Sequence, residues 1–286
     1  MRQEKKFYTP NSLEEALQTL CEDPQGFLIF AGGTDLFAGI KGRPQVRDDR
    51  KYLRVTTLPE LRQITLQENM LMIGASVTLS EILNSDLCRQ HAELLCQAVR
   101  QIASPLIRNM GTIAGNVINA SPAGDGLTAM YCLQAVAELS HWQDGSIVTR
   151  ELPVCELIMG PSRTALAEGE IVTCFKLPST QGLIAHYEKV GLRNALAISV
   201  MGLGILKTET GEIVHLSLGA LGPRVIISQE AEELLRQGEK QRAIDCYMGT
   251  LSPIGDLRAT AEYRRMVAKK LLESYILGVE WVCCRK

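Results

Sequence analysis

Between Arg108 and Asp125 the chain reads Arg-Asn-Met-Gly-Thr-Ile-Ala-Gly-Asn-Val-Ile-Asn-Ala-Ser-Pro-Ala-Gly-Asp. It has small residues and hydrogen-bonding side chains where a folded domain would normally spend Leu and Val. Gly111 and Gly115 lack a Cβ and can reach φ > 0, so backbone here can approach a ligand closely. Thr112, Asn116, Asn119 and Ser121 add neutral donors and acceptors. After Gly124-Asp125 the pattern turns helical, with Leu127, Met130, Tyr131, Leu133, Gln134 and Val136 at spacings of three and four. An anionic or hydroxyl-rich ligand would meet a loop that ends at a helix N-terminus, with free N–H groups pointing outward.

A second stretch has the same character. Phe27-Leu28-Ile29-Phe30 reads as a buried strand and runs straight into Ala31-Gly32-Gly33-Thr34-Asp35-Leu36. Two glycines at a strand end, then a hydroxyl residue opening a short helical stretch, suit backbone N–H groups gathered around a phosphate. A tight strand-to-helix turn with Thr34 as its N-cap would use the same residues.

At 286 residues the chain can bury a sizeable core and hold two domains or subdomains. Its net charge of -2, with no basic block and only 5 Phe and 2 Trp, gives no footprint for nucleic acid. The N-terminus, Met1 to Phe7, is charged and leads to no apolar h-region, so no signal peptide is expected. The apolar run Ala195 to Leu206 is too short for a bilayer and reads as a buried strand. Cytoplasm is the expected location, without membrane contact.

The cysteines at 21, 88, 96, 132, 155, 174, 246, 283 and 284 form no C-x-x-C pair. They fit reduced, mostly buried thiols. His91, His141, His186 and His215 show no ligand spacing, so neither zinc nor an iron–sulfur cluster is expected in this chain.

Taken in order, Ser12 and Glu15 form a capping box before Leu13, Ala16, Leu17 and Leu20. The charged segment Lys41 to Lys51 reads as exposed. Strands are expected at 52–55 and 70–73, with a helical turn at 58–61 and a second capping box at Thr78 and Glu81. Ala92 to Ala103 is an amphipathic helix, and Ser104-Pro105 ends it and releases the chain into the central loop. Asp144-Gly145 reads as a hairpin tip, followed by a strand from Glu170 to Leu177. Beyond Gln181 come strands at 186–190, 196–207 and 213–221, then helices at 228–237, 239–248 and 258–282. That order predicts a three-stranded sheet with helices on one face. A domain boundary falls near Ser179.

These pieces in combination resemble the FAD-binding subunit, or medium chain, of molybdenum hydroxylases, the family of xanthine, carbon monoxide and nicotinate dehydrogenases. The resemblance rests on the segments 31–36, 107–116, 120–125, 169–172, 187–189 and 256–264, and runs from near residue 7 to near residue 280. It implies an α+β fold: a PCMH-type, vanillyl-alcohol-oxidase-like FAD-binding domain over 1–178, in two subdomains divided near 55–60. A small three-stranded sheet plus helices, like the C-terminal domain of carbon monoxide dehydrogenase flavoproteins, would follow over 179–286.

The resemblance further implies two partner subunits, one with [2Fe–2S] clusters and one with molybdopterin. Electrons would pass from the clusters to FAD and on to NAD(P)+ or another acceptor. By matching position, the FAD contacts would be Ile29, Phe30, Ala31, Gly32, Gly33, Thr34, Asp35 and Leu36 on one side of the diphosphate. Thr112, Ile113, Ala114, Gly115 and Asn116 would lie on the other, with Ile102, Asp125, Val172 and Lys189 as further contacts. Asp35 and Asp125 cannot usefully face a diphosphate, because like charges repel; they would take hydroxyl hydrogen bonds or cap a helix. Lys189 would offset charge on a reduced flavin or stand as a solvated strand lysine. Arg108 would brace the loop or meet a phosphate.

The flavin carries the redox chemistry, so no general acid, base or nucleophile is assigned. Ala114 and Ala197 replace the glycine and aspartate common among relatives. The alternative is a free-standing FAD oxidase of the vanillyl-alcohol type. It is opposed by the lack of any His or Cys flavin tether in either glycine loop.

Overall fold

The computed structural model describes residues 7–37 and 51–280. Positions 41–50 of the charged segment, together with Cys283, Cys284 and the last residues of the final expected helix, lie outside that description. Among the described residues two compact units form. The first lies within Met1–Ala92, Ala103–Ala120 and Gln134–Ser179, and the second within Glu93–Ile102, Ser121–Leu133 and Thr180–Lys286.

In the first unit, helix Leu13–Glu22 is capped by Ser12, whose side chain accepts from the Glu15 N–H. The box is displaced by one residue, because the Glu15 carboxylate accepts from the Asn11 N–H at 2.7 Å. Ala16, Leu17 and Leu20 of this helix pack with Phe27, Leu53, Leu58 and Leu61. A small parallel sheet runs in the order Phe7–Tyr8, Lys51–Arg54, Phe27–Phe30. The last of these strands is not buried as its apolar sequence suggests. It is an edge strand: Phe27 faces the core while Ile29 is 40% exposed.

The larger sheet of this unit is antiparallel, in the order Ile64–Gln67, Met70–Gly74, Ile171–Pro178, Val136–Gln143, Ser146–Pro153. Its outer hairpins turn on Glu68-Asn69 and Asp144-Gly145, all four at positive φ, the backbone that two-residue hairpins favour. The expected capping box at Thr78 and Glu81 is complete and starts helix Leu79–Asn84. Ser104 does not simply release the chain. Its hydroxyl accepts from the Ile107 N–H and starts a one-turn helix, Pro105–Arg108, with proline in the first turn where no N–H is needed. A further short helix, Ile113–Ile118, follows.

In the second unit, strands Ile184–Gly191, Ser199–Lys207 and Ile213–Gly219 form an antiparallel sheet with 199–207 at its centre. Met201, Leu203 and Ile205 point to one face and pack with helices Gln229–Arg236, Lys240–Thr250 and Ala261–Leu272. The opposite face is covered as well, which corrects the expectation of helices on one face. Helices Asp125–Cys132 and Glu93–Arg100 pack there, against Gly202, Gly204 and Gly219. Both faces of the central strand are thus shielded from water, and its sequence is correspondingly apolar throughout. The strand begins only at Ser199, since Leu196 takes φ 55 in the irregular segment before it.

Candidate functional site

Within the first unit the two glycine-bearing stretches meet. A Cβ on Gly32 would stand 1.9 Å from the Met110 carbonyl oxygen, and one on Gly111 would stand 3.4 Å from Thr34 Oγ1. Gly33 sits at φ 66 with the Phe37 ring folded over it, so only glycine suits the position. The Phe37 N–H closes the turn on the Gly33 carbonyl at 2.9 Å. Phe30 and Phe37 pack with Tyr52, which holds the root of this loop against the small sheet.

The second stretch is pinned to the segment before helix Leu79–Asn84. The Leu79 N–H donates to the Gly111 carbonyl, while the Ile113 and Ala114 N–H groups donate to Val77 and Ala75. Thr112, 2% exposed, accepts from the Gly115 N–H through its hydroxyl and from the Asn116 N–H through its carbonyl. The first-turn donors are therefore already used by the protein. The short helix Ile113–Ile118 thus starts with its Ile113 and Ala114 N–H groups bonded to the Val77 and Ala75 carbonyls and its Gly115 N–H bonded to the Thr112 hydroxyl.

What the segment keeps in reserve is a side chain. Asn116 Oδ1 is buried and has no hydrogen-bond partner among the described residues. Such an atom costs free energy until something meets it. A hydroxyl would satisfy it directly, and with the amide turned over its NH2 would meet a phosphate oxygen. A cofactor with a sugar, a ribityl chain and a diphosphate fits that donor set. Arg108 donates to the Ala103 carbonyl and so braces its own turn. Val172, 7% exposed, lies in strand Ile171–Pro178 just before a register shift.

Within the second unit, Asp125 is the hub of a buried polar cluster. Its Oδ1 accepts from Tyr187 Oη at 2.8 Å and from Ser199 Oγ at 2.6 Å. Its Oδ2 accepts from Lys189 Nζ at 2.6 Å, and the two side chains are only 6% and 8% exposed. Lys189 Nζ also donates to the Gln101 carbonyl at 3.1 Å, beside Ile102. Asp125 does not cap its helix: Gly124 holds the N-cap position, with no side-chain cap bond. Nor is Lys189 a solvated strand lysine. Burial, and then the charge of Asp125, push the Tyr187 phenol well above its ordinary pKa, so it stays a donor.

Tyr187 and Ser199 were given no role at the site from the sequence, although Tyr187 lies in the 187–189 segment that carries the resemblance. The signal for Tyr187 was its place two residues before Lys189 on a strand, which puts both on one face. For Ser199 it was a polar residue at the head of an apolar run. Among the described residues no group of three or more His, Cys, Asp or Glu side chains could hold a metal ion, and no helix is long and apolar enough to cross a membrane.

Residues 3–180 match the family described as the FAD binding domain in molybdopterin dehydrogenase. Residues 186–279 match the carbon monoxide dehydrogenase flavoprotein C-terminal domain. The chain is 35% identical over 242 residues to the nicotinate dehydrogenase FAD-subunit of Eubacterium barkeri, covering 80% of this chain and 79% of that one. It is 30% identical to the glyceraldehyde dehydrogenase medium chain of Sulfolobus acidocaldarius, covering 91% and 92%. In fold it is similar to a chain of carbon monoxide dehydrogenase from Hydrogenophaga pseudoflava, with a TM-score of 0.86, 23% identity and 98% of each chain covered.

Proposed function

This chain belongs to the family of FAD-binding subunits of molybdopterin dehydrogenases, and on that premise we propose that it carries electrons from a partner's [2Fe–2S] clusters to an electron acceptor. It is an FAD-binding oxidoreductase subunit. The acceptor we assign is NAD(P)+ or another electron acceptor. The partners are a small [2Fe–2S] subunit and a large molybdopterin subunit, in the cytoplasm.

The observation that carries this reading is the meeting of the two glycine-bearing stretches at Gly32 and Met110, with the unpartnered Asn116 amide oxygen in the second of them. Residues 29–36 and 112–116 are the proposed diphosphate and sugar contacts, with Ile102, Asp125, Val172 and Lys189 as further ones. By sequence the FAD-binding domain is 1–178, in two subdomains divided near 55–60, and the C-terminal domain is 179–286. When bound, FAD supplies the two-electron to one-electron exchange. The protein's own residues bind and orient it: Thr112 holds the loop, Asn116 offers an acceptor or donor, and Lys189 offers a directed N–H.

The test is a titration. The full chain, stripped of flavin, should quench FAD fluorescence on mixing and acquire bound-flavin absorbance. A folded chain that takes up no FAD overturns the reading. Isolating the native complex, identifying its subunits and assaying each acceptor then tests the electron path.

A further inference from the structure

Lys189 has three N–H donors, and among the described residues two are used, by Asp125 Oδ2 and the Gln101 carbonyl. The third is held in a fixed direction, because both partners are themselves fixed. The Gln101 carbonyl belongs to the chain leaving helix Glu93–Arg100. Asp125 sits at the start of helix Asp125–Cys132 and is gripped on its other oxygen by two donors from the sheet, Tyr187 and Ser199. Tyr187 is held in turn: its main-chain N–H donates to Gln97 Oε1 at 2.9 Å. The hydroxyl lies so close to the central strand that a Cβ on Gly202 would stand 2.7 Å from it.

Charge matters as much as direction. An ammonium and a carboxylate at 2.6 Å form a dipole rather than a free positive charge. The field of a dipole falls off faster with distance than that of a lone lysine. The Tyr187 and Ser199 hydrogen bonds draw negative charge away from the carboxylate, and so set how completely it masks Lys189.

We infer that Tyr187 and Ser199 are positioning residues for the flavin: acting through Asp125, they set both the aim and the effective charge of Lys189. The inference rests on the reading above, in which Lys189 faces bound FAD. Neither residue needs to touch the cofactor. Each reaches the lysine through two hydrogen bonds by way of Asp125, and both donate to the same carboxylate oxygen.

The test uses the full chain and two readouts, FAD affinity by fluorescence titration and the midpoint potential of the bound flavin. Tyr187→Phe and Ser199→Ala should each weaken FAD binding about fivefold, one hydrogen bond's worth. Both should lower the potential, because a carboxylate with fewer donors masks Lys189 more fully. Asp125→Asn should move the potential the opposite way, and Ser199→Thr should restore wild-type values.

In a Lys189→Gln background, Tyr187→Phe and Ser199→Ala should add nothing further. An equal loss in that background would mean that the two residues only support the fold, and would overturn the inference. So would an unchanged affinity and potential in the single variants. If Lys189→Gln itself leaves both readouts at wild-type values, the placement of Lys189 against the flavin fails, and the inference fails with it. Thermal melts of the apo chain separate misfolding from these outcomes. If Tyr187→Phe does not fold, Ser199→Ala and its rescue by threonine decide the matter.

Discussion

Gly32 and Met110 stand in direct backbone contact: a Cβ on the glycine would fall 1.9 Å from the methionine's carbonyl oxygen. The obstacle is main chain and cannot swing aside. Gly32→Ala should therefore force the two loops apart, costing about 1–3 kcal/mol of stability. FAD affinity should fall with it. A melting curve and a flavin titration on the same preparation check both effects, and unchanged values in both would show that the loops are not coupled.

Asn116 behaves differently from its neighbours. Its Oδ1 is buried without a partner, so nothing within the described structure depends on it. Asn116→Ala should leave the apo chain's melting temperature unchanged or slightly raised, since an unsatisfied acceptor is removed. FAD affinity should drop about tenfold, the equivalent of roughly 1.4 kcal/mol. Loss of stability without loss of flavin would place the amide in the fold rather than at the cofactor.

Gly219 marks where a helix meets the second sheet. A Cβ there would lie 2.2 Å from Thr128 Oγ1, on a short β-branched side chain with little freedom to move. Gly219→Ala should push helix Asp125–Cys132 off the strand, at a cost of about 1–3 kcal/mol. Hydrogen exchange should show that helix opening more readily. In the double variant Thr128→Ala, Gly219→Ala much of the loss should return.

Arg264, 3% exposed, ties the C-terminal helix to the sheet by donating to the Val200 and Ala220 carbonyls and to Asp256 Oδ1. The backbone N–H groups of Arg258 and Ala259, together with Arg264, hold the Asp256 carboxyl down to about 2, from an ordinary 3.8. A carboxyl with a depressed folded-state pKa adds stability above its unfolded value and loses it as pH falls toward the folded one. Chemical denaturation between about pH 5 and pH 2 should reveal that loss. Asp256→Asn should flatten the acid limb of the profile over the same range. A profile identical to wild type would mean that Asp256 contributes nothing there.

Local chemistry was legible in the sequence wherever a short rule governed it. Thr78 and Glu81 announced their capping box, and Asp144-Gly145 its hairpin. The Glu68-Asn69 turn escaped, because neither residue is the glycine that usually signals positive φ. Ser104-Pro105 read as a stop but acts as a start: a serine before a proline can serve either, and only the downstream backbone chose. The stretch from Arg108 to Asp125 looked like open loop because it is poor in large apolar residues, yet a one-turn helix ends at its first residue and a second short helix, Ile113–Ile118, lies within it. The Ile113 and Ala114 N–H groups of the second went to Val77 and Ala75, residues distant enough in sequence that no spacing rule could have paired them.

By itself the sequence determined where most of the longer strands and helices, the capping box at Thr78 and the Asp144-Gly145 turn would lie, because those follow from periodicities and side-chain chemistry within a few residues. It also placed Asp125 and Lys189 among the candidate contacts, though only through resemblance. Tertiary structure alone decided that these two residues, 64 apart, would pair in near-dry surroundings with Tyr187 and Ser199 on the same carboxylate. The reason is physical: a buried charge persists only where opposite charge and donors converge on it. Convergence of that kind depends on how helix Asp125–Cys132 lies on the sheet, which no local pattern specifies.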